Sequence, residues 1–120
     1  MRRFTLRNMK DRFKILFVCG RNQWRSPTAE RLYRDNPRLF VKSAGVSTKS
    51  RHQITESDIL WADLIVAVDT QYKTRLRNEY QHLNLTVIED LQIPDDYAYM
   101  DAELVQLIQN NLDSLLEKYL

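Results

Sequence analysis

The chain has 120 residues, 43% of them hydrophobic, which suits one modest core in a single domain. Its 18 basic and 16 acidic residues give a net charge of +2, too small to indicate nucleic-acid binding. The one cysteine excludes an internal disulfide framework and a multi-cysteine zinc site, and it favours a reducing compartment, the cytoplasm. No apolar run is long enough for a membrane span, so we expect no integral membrane association.

The first residues differ in charge from the rest of the chain. Residues 1–13 carry one acidic side chain, Asp11, and the basic side chains of Arg2, Arg3, Arg7, Lys10 and Arg12. Terminal charge runs are usually solvated, so we predict a basic N-terminal extension at residues 1–13. A single domain then spans residues 14–120.

Apolar runs and helical patterns alternate along that domain. Short apolar runs predict strands at 14–18, 39–43, 64–68 and 85–89. Helices are predicted at 26–35, at 55–61 behind a Thr55-x-x-Asp58 capping box, at 70–80 behind Asp69 or Thr70, and from Asp101 onward. Buried strands separated by amphipathic helices indicate an α/β fold with a doubly wound parallel sheet. Ligands of such sheets bind at the carboxyl ends of the strands.

The segment from Cys19 to Ser26 joins the first strand to the first helix. Its backbone N–H groups can form a concave anion nest in front of the positive helix end, and phosphate fits such a nest. Arg25 supplies a planar fork that can hold two phosphoryl oxygens, and Cys19 becomes the candidate nucleophile. The residues expected to bind substrate in this loop are Gly20, Arg21, Asn22, Gln23, Trp24 and Ser26.

A lone cysteine at a strand end is more often inert core than nucleophile, so its neighbours decide the interpretation. Ser26 is a candidate N-cap, and Pro27 suits the first turn of a helix. Asn22 tolerates the positive φ that an inward-curling loop requires. These residues favour the functional interpretation of Cys19.

Residues 15–34, ILFVCGRNQWRSPTAERLYR, resemble the phosphate loop (P-loop, Cys-x5-Arg) and first helix of the low-molecular-weight protein tyrosine phosphatases. The resemblance continues at Ser43-Ala44-Gly45, at Gln53-Ile54-Thr55 with Asp58, and at residues 63–69. It implies a phosphatase I-like fold with four strands in the order 2-1-3-4. It also implies hydrolysis of phosphomonoesters through a phosphocysteine, without a cofactor.

The resemblance leaves more than one candidate for the general acid. Family members carry an Asp-Pro pair followed by an aromatic residue before the last helix, whereas this loop reads Ile93-Pro94-Asp95-Asp96-Tyr97. Counting back from Leu104 puts Asp95 at the position of the acid and Tyr97 at that of the aromatic, which we expect to bind substrate. Asp96, where the proline would stand, is the close alternative and Asp90 a distant one.

Two departures from the family bear on the substrate. Trp24 stands where many members carry a second cysteine, and Arg21 replaces a common glycine. The segment between Ser43 and Thr55 is also shorter than in a typical member, so we expect a shallow cleft built from Arg21, Trp24, Tyr97 and Tyr99. Such a cleft predicts weak selectivity for phosphotyrosine without affecting catalysis.

The leading hypothesis is therefore a cysteine-dependent phosphomonoesterase, most simply a protein tyrosine phosphatase, acting on a phosphorylated protein or a small phosphomonoester. The alternatives are a non-catalytic phosphoprotein-binding module and a phosphocysteine carrier, which have no need of a hydrolytic acid. An arsenate reductase needs further cysteines for its electron relay and is disfavoured. His52 and His82 lack partners at metal-ligand spacing, so no metal is assigned.

Overall fold

Strands and helices alternate through residues 12–84 and 87–120, which are the residues that the computed structural model describes. The strands are β1 (Phe13–Cys19), β2 (Leu39–Gly45), β3 (Leu64–Ala67) and β4 (Val87–Asp90). The helices are α1 (Arg25–Tyr33), α2 (Glu56–Trp61), α3 (Thr70–Glu79) and α4 (Ala102–Leu116). No helix within these two ranges is both long enough and apolar enough to cross a membrane.

The four strands form one parallel sheet in the order β2-β1-β3-β4. Both the parallel α/β class and this strand order confirm the predictions made from the pattern and from the resemblance. The central strand β1 reads as a continuous apolar run because helices cover both of its faces. Its residues 15–18 have no accessible surface.

Side chains of β1 alternate between two hydrophobic clusters, one on each face of the sheet. Ile15 and Phe17 pack on the side of α1 and α4, whereas Leu16 and Val18 pack on the side of α2 and α3. Because each face is sealed by a pair of helices, access to the sheet remains at the ends of the strands. Cys19 is the last residue of β1 at the carboxyl end.

The ends of the elements differ from the predicted bounds in several places. The sheet begins at Phe13, one residue before the predicted domain boundary, and residues 1–11 of the predicted extension lie outside the described residues. The predicted start of β4 at Leu85 also lies outside them. The capping box of α2 is present as predicted, and Asp69 caps α3 by accepting a hydrogen bond from the Gln71 N–H at 3.2 Å.

The predicted N-cap of α1 is wrong. The helix begins at Arg25, so that Trp24 occupies the capping position without a side-chain hydrogen bond and Ser26 lies inside the first turn. The Ser26 hydroxyl contacts the sulfur of Cys19 instead of a backbone N–H group. Ser26 has the propensity to cap a helix, but here its hydroxyl bonds within the loop that precedes α1.

Candidate active site

A pocket of about 450 Å³ opens at the carboxyl ends of the strands, beside Cys19. Four parts of the chain form it: the loop after β1, the turn after β2, the first turns of α3 and the loop before α4. Its lining residues are Cys19, Gly20, Arg21, Gln23, Trp24, Arg25, Val46, Ser47, Gln71, Tyr72, Arg75 and Asp95. This is the location at which parallel α/β sheets bind their ligands.

Cys19 lies at the base of the pocket and is only 3% exposed. Its sulfur accepts a hydrogen bond from the backbone N–H of Asn22 at 3.2 Å and lies 2.8 Å from the hydroxyl of Ser26. Asn22 adopts a positive φ of 57°, as predicted, which turns its N–H inward. Donors that point at sulfur stabilise a thiolate more than a thiol.

A buried polar network fixes the orientation of the Ser26 hydroxyl. The Asn22 side-chain amide donates to Ser26 Oγ at 3.1 Å and to Ser43 Oγ at 2.8 Å. Ser43 in turn donates to the carboxylate of Glu30. Because Ser26 Oγ accepts from Asn22, its own proton has two acceptors within reach, the sulfur of Cys19 at 2.8 Å and the Ala44 carbonyl at 3.5 Å. Asn22 and Ser26 are buried, so they support the loop from below and do not line the pocket.

Arg25 is 3% exposed, and its guanidinium is held on several sides. One terminal nitrogen donates to the Ile93 carbonyl at 2.8 Å and lies 3.7 Å from the Asp69 carboxylate. The other donates to the Tyr72 hydroxyl at 3.3 Å and lies 3.4 Å from the Asp95 carboxylate. A buried charge needs such partners, and here they fix the plane of the guanidinium beside Cys19.

The three predicted catalytic residues, Cys19, Arg25 and Asp95, line the same pocket. Asp95 reaches it from a loop, and 62% of its side chain is exposed. Asp96 and Asp90 are not among the lining residues. The structure therefore brings one of the three candidate acids together with the cysteine.

Among the residues predicted to bind substrate, Gly20, Arg21, Gln23 and Trp24 line the pocket, but Tyr97 does not. The Tyr97 hydroxyl donates to Glu103 at 2.7 Å, and its ring packs against the cluster beneath α4. Tyr99, predicted as part of the cleft, also lies outside the lining. The contribution of these two aromatic rings to substrate binding therefore stays a prediction.

The aromatic wall is supplied instead by Tyr72, which the sequence analysis missed together with Gln71 and Arg75. These residues lie in α3, which follows β3, the neighbour of β1 in the sheet. Parallel neighbours end at the same edge, so the first turn of α3 had to lie near Cys19. That rule was the signal available in the sequence.

Among residues 12–84 and 87–120, no cluster of three or more histidine, cysteine, aspartate or glutamate side chains is arranged to hold a metal ion. The pocket brings together a thiol, guanidinium groups and a carboxyl group.

No model of a protein family matches the sequence, and no curated protein matches it. Solved structures, in contrast, match almost the whole chain. A low molecular weight protein tyrosine phosphatase from Streptococcus pyogenes, SP-PTP, is 23% identical, with a TM-score of 0.76 over 90% of this chain and 93% of its own. The YwlE arginine phosphatase from Geobacillus stearothermophilus is 23% identical, with a TM-score of 0.65 over 90% of this chain and 97% of its own.

The Drosophila arginine phosphatase, DARP, is 20% identical, with a TM-score of 0.69 over 89% of this chain and 98% of its own. At this level of identity the similarity establishes the fold. The chain has the fold of the low-molecular-weight protein tyrosine phosphatases, as the resemblance of its Cys-x5-Arg loop predicts.

Proposed function

We propose that the chain is a cysteine-dependent phosphomonoesterase, most simply a protein tyrosine phosphatase, that acts through a phosphocysteine intermediate. The observation that carries the proposal is the sulfur of Cys19, which receives the N–H of Asn22 and the hydroxyl of Ser26 at the base of a pocket shared with Arg25 and Asp95. A buried thiol that faces polar groups and opens into a pocket shared with a guanidinium is suited to nucleophilic attack.

In the first step, a phosphate monoester dianion enters the pocket and the Arg25 guanidinium binds two of its oxygens. The Cys19 thiolate attacks phosphorus, and the bond to the leaving oxygen breaks. Asp95, which the phosphate displaces from Arg25 and which takes up a proton from solvent, protonates that oxygen, so that the leaving group departs as a neutral alcohol or phenol. Asp95 now carries the negative charge, and the phosphoryl group is bonded to sulfur.

In the second step, water attacks the phosphocysteine and gives its proton to the Asp95 carboxylate. The bond from sulfur to phosphorus breaks, inorganic phosphate leaves, and the returning thiolate is stabilised by the Ser26 hydroxyl and the Asn22 N–H. A carrier or a binding module has no use for this acid, so Asp95 in the pocket favours hydrolysis over both alternatives.

The test is hydrolysis of para-nitrophenyl phosphate by purified protein with chelator present. We expect turnover that vanadate inhibits and that Cys19→Ser reduces to trace level, while the control Ser114→Ala, on the exposed side of α4, keeps wild-type activity. Rapid quenching during turnover should show one phosphoryl group on the intact protein, and this group should be absent from Cys19→Ser. Because Cys19 is the only cysteine, a phosphorylated thiol is assigned without ambiguity.

Two results would contradict the proposal. Activity of Cys19→Ser above trace level excludes the covalent mechanism. Tight binding of a phosphopeptide without any hydrolysis supports the binding module instead.

A further inference from the structure

The pocket holds more positive charge than one phosphoryl group requires. Arg25 lies at its base, and Arg21 and Arg75 line it as well. Asp95 is the only acidic side chain among the described lining residues, and it is already paired with Arg25 at 3.4 Å. Two further guanidinium groups therefore lie at the side of the pocket, Arg21 without an ion pair in the described ranges and Arg75 paired with Glu79 outside the lining.

Arg21 combines a fixed backbone with an open side chain. Its carbonyl accepts from the Arg51 N–H at 3.2 Å, and the neighbouring carbonyl of Gly20 accepts from the Ser47 N–H at 2.9 Å. Its side chain is exposed and has no hydrogen bond or ion pair to any residue in the described ranges. The backbone that carries this guanidinium is therefore already ordered, and only its side chain loses freedom when it binds an anion.

Arg75 comes from a different element, the second turn of α3. Its Nε donates to Glu79 at 2.8 Å, and one terminal nitrogen donates to the Val46 carbonyl in the pocket wall at 3.4 Å. These two bonds hold the guanidinium against the wall and leave its remaining N–H groups for a ligand. Arg21 and Arg75 thus flank the turn at Val46 and Ser47 from two separate elements.

We propose that Arg21 and Arg75 form an acidic-residue subsite, which selects protein substrates with aspartate or glutamate beside the phosphorylated residue. This inference rests on the proposed phosphatase activity of the same pocket. Two guanidinium groups on separate elements suit two carboxylates along an extended peptide, whereas a second phosphate on a small molecule would need donors that converge on one point. Trp24, 48% exposed in the pocket lining, offers an aromatic surface for the same peptide.

The experiment compares two phosphopeptides that differ only in glutamate or glutamine at the positions flanking the phosphorylated residue. For the wild type, we expect kcat/KM to be roughly three- to tenfold higher for the glutamate peptide, as two partly exposed charge pairs allow. Arg21→Gln and Arg75→Gln should each reduce this ratio, and the double variant should bring it close to one. Each ratio is taken within one protein, so a change in overall activity does not affect it.

Two control variants separate charge in the pocket from other effects. Glu79→Gln breaks the same ion pair as Arg75→Gln but keeps Arg75, so it should retain the preference or increase it. Arg77→Gln removes an exposed charge from α3 outside the pocket lining and should leave the ratio unchanged. Salt at about 1 M, where the Debye length is about 3 Å, should reduce the wild-type ratio below twofold.

Binding to Cys19→Ser protein distinguishes failure of the subsite from failure of the proposed function. Efficient hydrolysis with equal kcat/KM for both peptides overturns the subsite and leaves the phosphatase intact. Tighter binding of the glutamate peptide to Cys19→Ser, without hydrolysis by the wild type, supports the subsite and overturns the phosphatase. A preference for small bisphosphates with none for acidic peptides, or a ratio that Arg21→Gln and Arg75→Gln leave unchanged, also overturns the subsite.

Discussion

At the scale of single residues, Gly20 is required by the close approach of a neighbouring ring. A Cβ atom at this position would lie 2.8 Å from the hydroxyl oxygen of Tyr72 and 3.4 Å from the ring carbon that bears it. The φ of Gly20 is not positive, so alanine meets no backbone strain here. The conflict is purely steric. The atom nearest to the added Cβ is the Tyr72 hydroxyl oxygen, which also accepts a hydrogen bond from Arg25.

Gly20→Ala should therefore lower the free energy of unfolding by about 1–3 kcal/mol, as overpacking does, and should reduce kcat/KM because the Tyr72–Arg25 contact is displaced. In a Tyr72→Phe background the nearest remaining contact is the ordinary 3.4 Å, so most of this loss in stability should disappear. Urea unfolding of the four proteins measures the coupling. Strictly additive effects of the two substitutions would show that Tyr72 does not cause the restriction.

The general acid can be assigned by the dependence of the rate on the leaving group. If Asp95 protonates the leaving oxygen, Asp95→Asn should lose about 10²–10⁴-fold in kcat on phenyl phosphate. The loss should be far smaller on para-nitrophenyl phosphate, whose leaving group departs as a stable anion. Asp96→Asn is the matched control next to it, outside the pocket lining, and should show a small loss that is the same on both substrates.

The reverse pattern would move the assignment from Asp95 to Asp96. Equal losses on both substrates in both variants would indicate Asp90 or the absence of a protein acid. Because the two aspartates differ in whether they line the pocket, these outcomes also test how the loop before α4 is placed.

At the scale of elements, the end of the chain after α4 is bonded to the edge strand β4. The Tyr119 hydroxyl donates to Glu89 at 2.6 Å, and Lys118 donates to the same carboxylate at 3.2 Å. Partial burial, together with the hydrogen bond and charge of Glu89, raises the pKa of Tyr119 to about 12. The hydrogen bond from Tyr119, followed by the contacts with Lys118, lowers the pKa of Glu89 against the effect of its burial.

Tyr119→Phe should reduce the free energy of unfolding at neutral pH by about 1–2 kcal/mol, because it removes a hydrogen bond to a charged group. The phenylalanine ring should keep the position of the tyrosine ring, whose centroid lies 5.9 Å from that of the Phe13 ring. Tyr99→Phe, in which the ring is 48% exposed, is the control and should be neutral. Denaturant unfolding measures both.

The pH dependence of this difference follows from the two pKa shifts. Between the ordinary tyrosine pKa of 10.0 and about 12, the folded wild type retains the Tyr119 proton that the unfolded chain loses, so its stability falls as the pH rises. In acid, the contribution of Glu89 is lost as the pH falls from its ordinary 4.5 through the lowered pKa. The difference in free energy of unfolding between wild type and Tyr119→Phe should therefore become smaller at both high and low pH. A difference that stays constant with pH would contradict the role of the hydrogen bond between Tyr119 and Glu89.

Elements were easier to predict from the sequence than contacts. The apolar runs of β1 and β3 and the capping box of α2 are local signals, and the structure reproduces them. The N-cap of α1 is not reproduced, because the same Ser26 hydroxyl can cap a helix or contact a sulfur, and tertiary geometry decides between them. The Ile93 carbonyl that holds Arg25 carries no signal at all, since every residue has a backbone carbonyl.

At the scale of the whole molecule, the sheet brings together residues that are far apart in sequence. Arg25 bonds to Ile93 across 68 residues and to Tyr72 across 47. The sequence predicts Cys19 and Arg25 from the strand, loop and helix that carry them, and it predicts Asp95 and Tyr97 from the resemblance. The Tyr97 hydroxyl is bonded to Glu103 of α4, a long-range contact for which the local sequence holds no signal.

The turn after β2 determines the selectivity that we expect of the pocket. The turn after β2 folds back onto the strand end through hydrogen bonds between Gly45 and the segment at His52 and Ile54. On that side the pocket is therefore walled only by Val46 and Ser47, and its aromatic surface comes from Trp24 and Tyr72. An aromatic contact is worth about 0.5–1.5 kcal/mol, so each of these two rings supplies roughly two- to twelvefold of selectivity.

We accordingly expect the preference for phosphotyrosine over phosphoserine, in otherwise identical peptides, to stay within about two orders of magnitude in kcat/KM. Trp24→Ala should reduce that preference by roughly two- to twelvefold, and Tyr99→Ala, outside the pocket lining, should leave it unchanged. A wild-type preference of many orders of magnitude that Trp24→Ala does not alter would require a wall other than Trp24, and the argument from the short turn after β2 would then fail.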